Sequence, residues 1–460
     1  MPLAQDSRHL ILPCETRVRE FDAKLLLACC AADRGWRVSV GDIRAINRQA
    51  ARLPQGIYIA KGVTRRQAVA MRTMTRLGHT VTAWDEEGLV YVSPELYLAT
   101  KVDAMAFDVP TLFFSWGEAN ASAWRGHPSY AGTPIVATGN PRADLLRPEL
   151  RGYFSDEVER LRRAHGKFIL VNSNFASLNH LRPGEGRHTR LLQNQGRETD
   201  PEQDSQLGFA VHKELLFKNF LGMVPALARQ FPEHKVILRP HPSENPETWR
   251  EALSNYPNAE VVYEGNAVAW LLASAVLIHN GCTTAVESYL LDRPAIAYRP
   301  VVSEDYDLPL PNALSVSSFT VEELFERVGE ALSTGLKIGA SDLDRWRAIA
   351  REHIASSEGP SACDRILDVL EELDVAGESN AGMLHRLSAR VAIAGRRARK
   401  RLKSIVRSEP RGAMARHMFP PISHAEVIAS IRRFGTLLDR FGDLQTKELD
   451  SNLFSVWRER

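Results

Sequence analysis

Cysteine is scarce in this chain: five residues in 460, Cys14, Cys29, Cys30, Cys282 and Cys363, with no CxxC pair and no metal-binding spacing. That excludes a disulfide scaffold or a zinc ribbon, and an odd, scattered set points to a reducing compartment. Long apolar runs are missing too, and none approaches the roughly 20 residues of a membrane-spanning helix. The opening MPLAQDSRHLILPCETRVRE has no basic start followed by an apolar stretch, so no secretory signal is expected and the protein reads as cytoplasmic. Neither GxGxxG nor GxxxxGK[ST] occurs, which argues against a dinucleotide site or a P-loop ATPase. No cofactor and no metal are expected.

What is present is ordinary in bulk: 44% hydrophobic, 25% charged and a net charge of +2, values of a soluble globular protein. The total hides an asymmetry. Between Glu378 and Arg416 lie eleven Arg or Lys against two Glu, which leaves the rest of the chain acidic. The basic character is therefore a local feature with a local partner, and a nucleic-acid-binding surface is not expected.

Short β-branched runs alternate with helical-period segments from the start. HLILPC, WRVSVGD, GIYIAKG, TVTAWDE, TLFFSWG and PIVATGN read as strands. A charged helical linker, 147–166, comes next, and the alternation resumes with KFILVNSNF, KVILRPHP, AEVVYEG, AVLIHNG and PAIAYRP. This predicts an α/β protein of two Rossmann-type, doubly wound parallel-sheet domains facing a cleft. The expected boundaries are 1–150, 151–375 and a helical basic extension over 376–460. Periodicity does not give the strand order. Residues 176–208 form a long polar insertion after a strand, either an acceptor-binding lid or a disordered loop. Within the extension, Leu384, Leu387, Val391, Ala394, Ala398, Leu402 and Ile405 recur three or four apart among Arg and Lys. That stripe suits either docking on an anionic membrane or packing on the enzyme. Ser423 with Glu426 makes a capping box for a final helix.

Ligands of open α/β sheets bind beyond the carboxyl ends of the strands, so the residues just past each strand are the candidates. In Asn280-Gly281-Cys282-Thr283-Thr284, glycine permits a tight turn and the free amides of the next helix suit a phosphate. Glu287, one turn further, is placed to accept ribose hydroxyls. The same residues also suit a plain turn capped by Thr283 or Thr284. In Arg239-Pro240-His241-Pro242-Ser243-Glu244 the prolines fix an extended strand exit. There Arg239 offers bidentate phosphate contact and His241 a donor to a leaving phosphate. Alternatively Ser243 caps the next helix and His241 is a satisfied rim histidine. Gly139-Asn140-Pro141-Arg142-Ala143-Asp144 is a turn whose Arg142 and Asp144 either face the cleft or serve the linker. In the first half Glu15, Arg19, Glu20 and Lys24 cluster after the first strand, Lys61 and Asp85-Glu86-Glu87 end later ones, and Glu118 comes just after FFSWG.

Together ILPCETRVREFDAKLLLACCAADRGWRVSVGD, WDEEGLVYV, TGNPRADLL, RPHPSE and HNGCTTAVESYLLDRPAIAYRP resemble bacterial surface carbohydrate biosynthesis proteins. More distantly they resemble retaining β-Kdo transferases, CDP-glycerol glycerophosphotransferases and UDP-N-acetylglucosamine 2-epimerases. The resemblance covers about residues 8–370. It implies a GT-B fold and a glycosyltransferase using a nucleotide sugar in lipopolysaccharide or capsule assembly, with a glycan or lipid-linked glycan acceptor. It implies a donor site of Arg239, His241, Ser243, Glu244, Asn280, Gly281, Cys282, Thr283, Thr284 and Glu287. His241, Glu118 and Asp144 are then the catalytic candidates, and Asn172, Asn174, Arg142, Glu15 and Arg19 the sugar or acceptor contacts. Where the Kdo transferases place a nucleophilic aspartate, this chain has Val171-Asn172-Ser173-Asn174-Phe175, and asparagine forms no glycosyl ester. An epimerase on the same scaffold and a non-catalytic assembly component are the other readings. Any membrane contact is expected to be peripheral, through 384–407.

Overall fold

The computed structural model describes residues 8–182, 184–193, 201–373, 416 and 418–459. The basic stretch 384–407 lies outside them, as does part of the 176–208 insertion. No helix among the described residues is long and apolar enough to cross a membrane.

The chain forms two compact units. The first comprises Met1–Leu89, Pro94–Tyr153 and Ala350–Arg460; the second comprises Val90–Ser93 and Phe154–Ile349. These limits differ from the expected 151–375 and 376–460. The chain leaves the second unit at Ile349, and from Ala350 onward it belongs with the first.

In the first unit, β1 (His9–Cys14), β2 (Arg37–Asp42), β3 (Ile57–Ala60), β4 (Thr80–Ala83), β5 (Leu112–Ser115) and β6 (Ile135–Ala137) are parallel, in the order β2-β1-β3-β4-β5-β6. Every residue of β1, β3 and β5 is buried, as expected of parallel strands covered on both faces. The helix Asp22–Asp33 is buried nearly all round, Ala23 to Ala32 without a break.

The second unit holds β7 (Phe168–Asn172), β8 (Lys235–Arg239), β9 (Ala259–Val261), β10 (Val276–His279), β11 (Ala295–Tyr298) and β12 (Val316–Ser318). All six are parallel, in the order β9-β8-β7-β10-β11-β12. This is the Rossmann order 3-2-1-4-5-6, whose crevice opens where the winding reverses, between β7 and β10. Its core packs Ile169, Val171, Phe220, Met223, Leu227, Trp249 and Ile278 between sheet and helices. The helix Pro201–Gln230 takes in the end of the polar insertion. The turn before it docks on the loop after β8: Leu181 N donates to the Ser243 carbonyl, and Asn245 N to that of Asn179.

Two more strands complete the first sheet. β13 (Leu444–Asp450) and β14 (Leu453–Arg458) form a hairpin whose β14 pairs antiparallel with β2. The sequence pattern predicts a helical extension; the helix His424–Leu438 with its Ser423–Glu426 capping box is present, and the hairpin is an addition. Its docking explains a glycine. Gly41 has φ +156°, and a Cβ there would stand 2.1 Å from the Asn452 carbonyl oxygen, so a side chain and the hairpin exclude each other.

Candidate functional site

At the β7–β10 switch point the second unit gathers the residues singled out in both strand exits. β10 ends at His279, and Gly281 turns the chain at φ +82°. The helix Thr283–Leu290 then begins with Cys282 at its N-cap, making no side-chain capping hydrogen bond. Neither Thr283 nor Thr284 is the cap. Asn172, at the tip of β7, donates from Nδ2 to Thr284 Oγ1 at 3.0 Å, and Asn174 Nδ2 donates to the Gly281 carbonyl at 3.2 Å. The two asparagines therefore hold the turn in place. Cys282 Sγ lies 2.8 Å from Thr284 Oγ1, and burial pushes its thiol up, so the helix start faces a neutral group.

The turn is braced from beneath by His279, fully buried, which accepts from Gly281 N through Nδ1 and meets Ser315 Oγ through Nε2, each at 2.9 Å. Burial pushes its pKa down to about 3, so it is a neutral strut. Asn280 is buried, and neither its amide oxygen nor its nitrogen has a hydrogen-bond partner among the described residues. Glu287 is half-buried one turn into the helix.

The loop after β8 is organised by Glu244. This carboxylate is 2% exposed and accepts from Ser173 Oγ, Phe175 N, His241 N and Trp249 Nε1 at 2.8–3.1 Å. Burial raises its pKa against those donors. Both oxygens are used, so Glu244, expected to bind donor, instead clamps the loops after β7 and β8 together. Arg239 is partly committed: one of its terminal nitrogens donates to the Glu264 and Gly265 carbonyls and the guanidinium lies 5.3 Å over the Trp270 ring, while its buried Nε has no hydrogen-bond partner among the described residues. His241 is half-buried, and its Nδ1 accepts from Ser243 N at 3.2 Å. The neutral ring then carries its hydrogen on Nε2.

In the first unit the winding reverses between β1 and β3, and a buried ionic network fills that place. Lys24, 2% exposed, donates to the Pro13 carbonyl, Glu20 and Glu86 at 2.6, 2.9 and 2.8 Å. Lys61 reaches Glu15 at 2.7 Å and Glu20 at 3.1 Å. Burial opposes the charge of Glu20, but Lys24 and Lys61 overcome it and hold the carboxyl well below its usual range. Arg19 pairs with Glu87 at 3.0 Å. Glu15 and Arg19 thus stand at the rim of an internally paired cluster.

Asp144 is not an open carboxylate. It is 1% exposed and caps the helix Ala362–Glu372 by accepting from Ala362 N and Cys363 N, both at 2.8 Å, while burial raises its pKa to about 6. Arg142 is buried too, donating to the Glu86 carbonyl at 3.2 Å and lying 5.7 Å from the Trp116 ring centre. Of the two candidate carboxylates, Glu118 is the exposed one; it opens the helix Glu118–Arg125 and pairs with Arg125 and Ser122.

Lys213 and His212 line a cavity beside the 280–281 turn and are candidates that the strand-end pattern does not pick out. Both are buried on the helix Pro201–Gln230, where Lys213 shares a stripe with Leu216, Phe220 and Leu227. A lone cation at that spacing is the available signal. His212 Nε2 lies 2.9 Å from Asp307, which also accepts from Arg299 at 2.7 Å. No group of His, Cys, Asp and Glu suited to a metal occurs among the described residues.

No family model and no curated protein matches the chain. Solved structures do. A protein from Listeria monocytogenes assigned as a UDP-N-acetylglucosamine 2-epimerase is 14% identical, covers 81% of this chain and 97% of its own, and has a TM-score of 0.50. Anabaena Alr3699/HepE in complex with UDP-glucose is 11% identical over 79% of this chain and 100% of its own, at 0.45. The wall teichoic acid polymerase TagF is 11% identical over 81% and 91%, at 0.44. At these identities it is the fold that is shared: the chain has the two-sheet, GT-B type of architecture that its motifs resemble.

Proposed function

We propose that this chain is a nucleotide-sugar-dependent glycosyltransferase, acting in the assembly of a bacterial surface polysaccharide. One observation carries the reading: at the switch point of a 3-2-1-4-5-6 sheet, a glycine turn leads into an uncapped helix start, held by Asn172 and Asn174. An uncapped N-terminus with its dipole is a ready anion site, and the donor's phosphates are the anion assigned to it. Glu287 takes the ribose hydroxyls, and His241 donates from Nε2 to the phosphate as it leaves. Glu118 is the candidate base for the acceptor hydroxyl. Arg239, Glu244, Asp144 and Arg142 position loops and helices and do not touch substrate. The resemblance of the motifs supports the polysaccharide assignment, and the basic stretch 384–407 suits an acceptor carried on a lipid.

Calorimetry with UDP-, CDP-, GDP- and CMP-linked sugars tests the donor assignment, and product analysis with and without acceptor tests the reaction. Donor binding with sugar transferred only when acceptor is present is expected. An epimerised sugar formed without acceptor would replace transfer by epimerisation, and absence of binding across the panel would remove the enzyme assignment.

A further inference from the structure

A small cavity of the second unit borders the 280–281 turn and is lined by His212, Lys213, Asn280, Arg299, Tyr306 and Asp307, with Asn312 and apolar or aromatic neighbours. Two of these side chains lack what buried polar groups normally have. Asn280 is 7% exposed with both amide atoms unpartnered among the described residues. Lys213 is 6% exposed, its ammonium 5.9 Å from the centres of the Phe175 and Phe209 rings, and it makes no hydrogen bond or ion pair among the described residues. The one acid in the wall, Asp307, is already shared by Arg299 and His212. A cation is therefore left over beside an unsatisfied amide, two residues before the N-cap of the helix Thr283–Leu290. Burial accordingly pushes the Lys213 pKa down to about 8.

We propose that Lys213 and Asn280 form a phosphate subsite, with the Lys213 ammonium and the Asn280 amide nitrogen both donating to phosphoryl oxygens. The proposal rests on the donor reading above and adds the side chains that hold the sugar-bearing phosphate. An anion there meets a full positive charge and the positive end of the helix dipole together. In this state the buried ammonium gains the counter-charge it otherwise lacks, so the subsite is satisfied only when loaded.

The test is thermal melting of the full chain with UDP, CDP, GDP, CMP and inorganic pyrophosphate, with uridine as the phosphate-free control, for wild type, Lys213→Met and Lys213→Arg. Without ligand Lys213→Met melts at or above the wild-type temperature, because an unpaired buried charge gives way to an apolar chain of similar length; a merely structural lysine predicts a lower one. The phosphate-bearing ligand that raises the wild-type Tm binds the Met variant roughly ten- to hundredfold more weakly, Lys213→Arg recovers part of the loss, and uridine affects all three alike. Equal binding by wild type and Lys213→Met overturns the subsite while the donor reading stands. If no nucleotide binds wild type, the donor reading fails; pyrophosphate then decides the subsite, which holds only if its Tm shift vanishes in Lys213→Met. Should the Met variant not fold, acylation of wild-type Lys213 followed by mass spectrometry takes its place. Slowing by the same ligands supports the subsite, and an unchanged rate overturns it.

Discussion

Lys24 shows how much a single side chain carries in the first unit. Its ammonium is enclosed by a carbonyl and two carboxylates, so removing it strands buried negative charge. Lys24→Met should cost about 3–5 kcal/mol of stability, the usual toll of breaking a buried pair from one side, read from urea unfolding; a variant as stable as wild type would contradict the network. Asp85 makes the pH prediction. Burial raises its pKa from the ordinary 3.8 to about 6, against hydrogen bonds from Tyr97 and Glu87 N. The folded chain keeps a proton that the unfolded chain has lost between those values, so this contribution is greatest below about pH 4 and is lost as pH rises past 6. Relative to wild type, Asp85→Asn should therefore gain about 2–3 kcal/mol in unfolding free energy between pH 4 and pH 7; parallel profiles would refute it. Residue types at strand ends are legible in the sequence, but their tasks are not. Asp144, Glu244 and Arg142 are polar groups in the expected places, and only the backbone around them shows that their bonds are already made.

Among elements, the helix Thr283–Leu290 and the loops clamped by Glu244 matter most. Thr284→Val removes the acceptor for Asn172 at 3.0 Å. It should lower stability by only about 1 kcal/mol while weakening nucleotide binding measurably in calorimetry; unchanged binding would show that the turn does not face the donor. Gly41→Val places its Cβ against the backbone of Asn452 and Leu453, so it should destabilise the fold by more than about 2 kcal/mol, with faster hydrogen exchange at β14 as the mark of hairpin release. The strands of the two parallel sheets are readable because apolar, β-branched runs announce themselves, except for β12, whose VSS holds a single apolar residue. β13 is hidden for another reason: its LQTKELD lies on an edge, mostly exposed. β14 pairs with a strand some 400 residues earlier, which no local pattern reports.

For the whole chain, the return after Ile349 to the first unit is the feature least visible in sequence, since the helix Ala362–Glu372 looks like any amphipathic segment until Asp144 is seen at its N-terminus. The basic stretch 384–407 gives a further test. Deleting it should abolish flotation with vesicles containing anionic lipid, since each Lys or Arg near such a surface contributes about 1 kcal/mol, and equal recovery would end the membrane assignment. The central claim concerns the β7–β10 crevice. A crystal structure of the protein with a bound nucleotide sugar tests it most directly. The account predicts the phosphates against residues 280–284, within reach of Lys213, and the ribose by Glu287; a nucleotide held anywhere else, with that turn left bare, would contradict it.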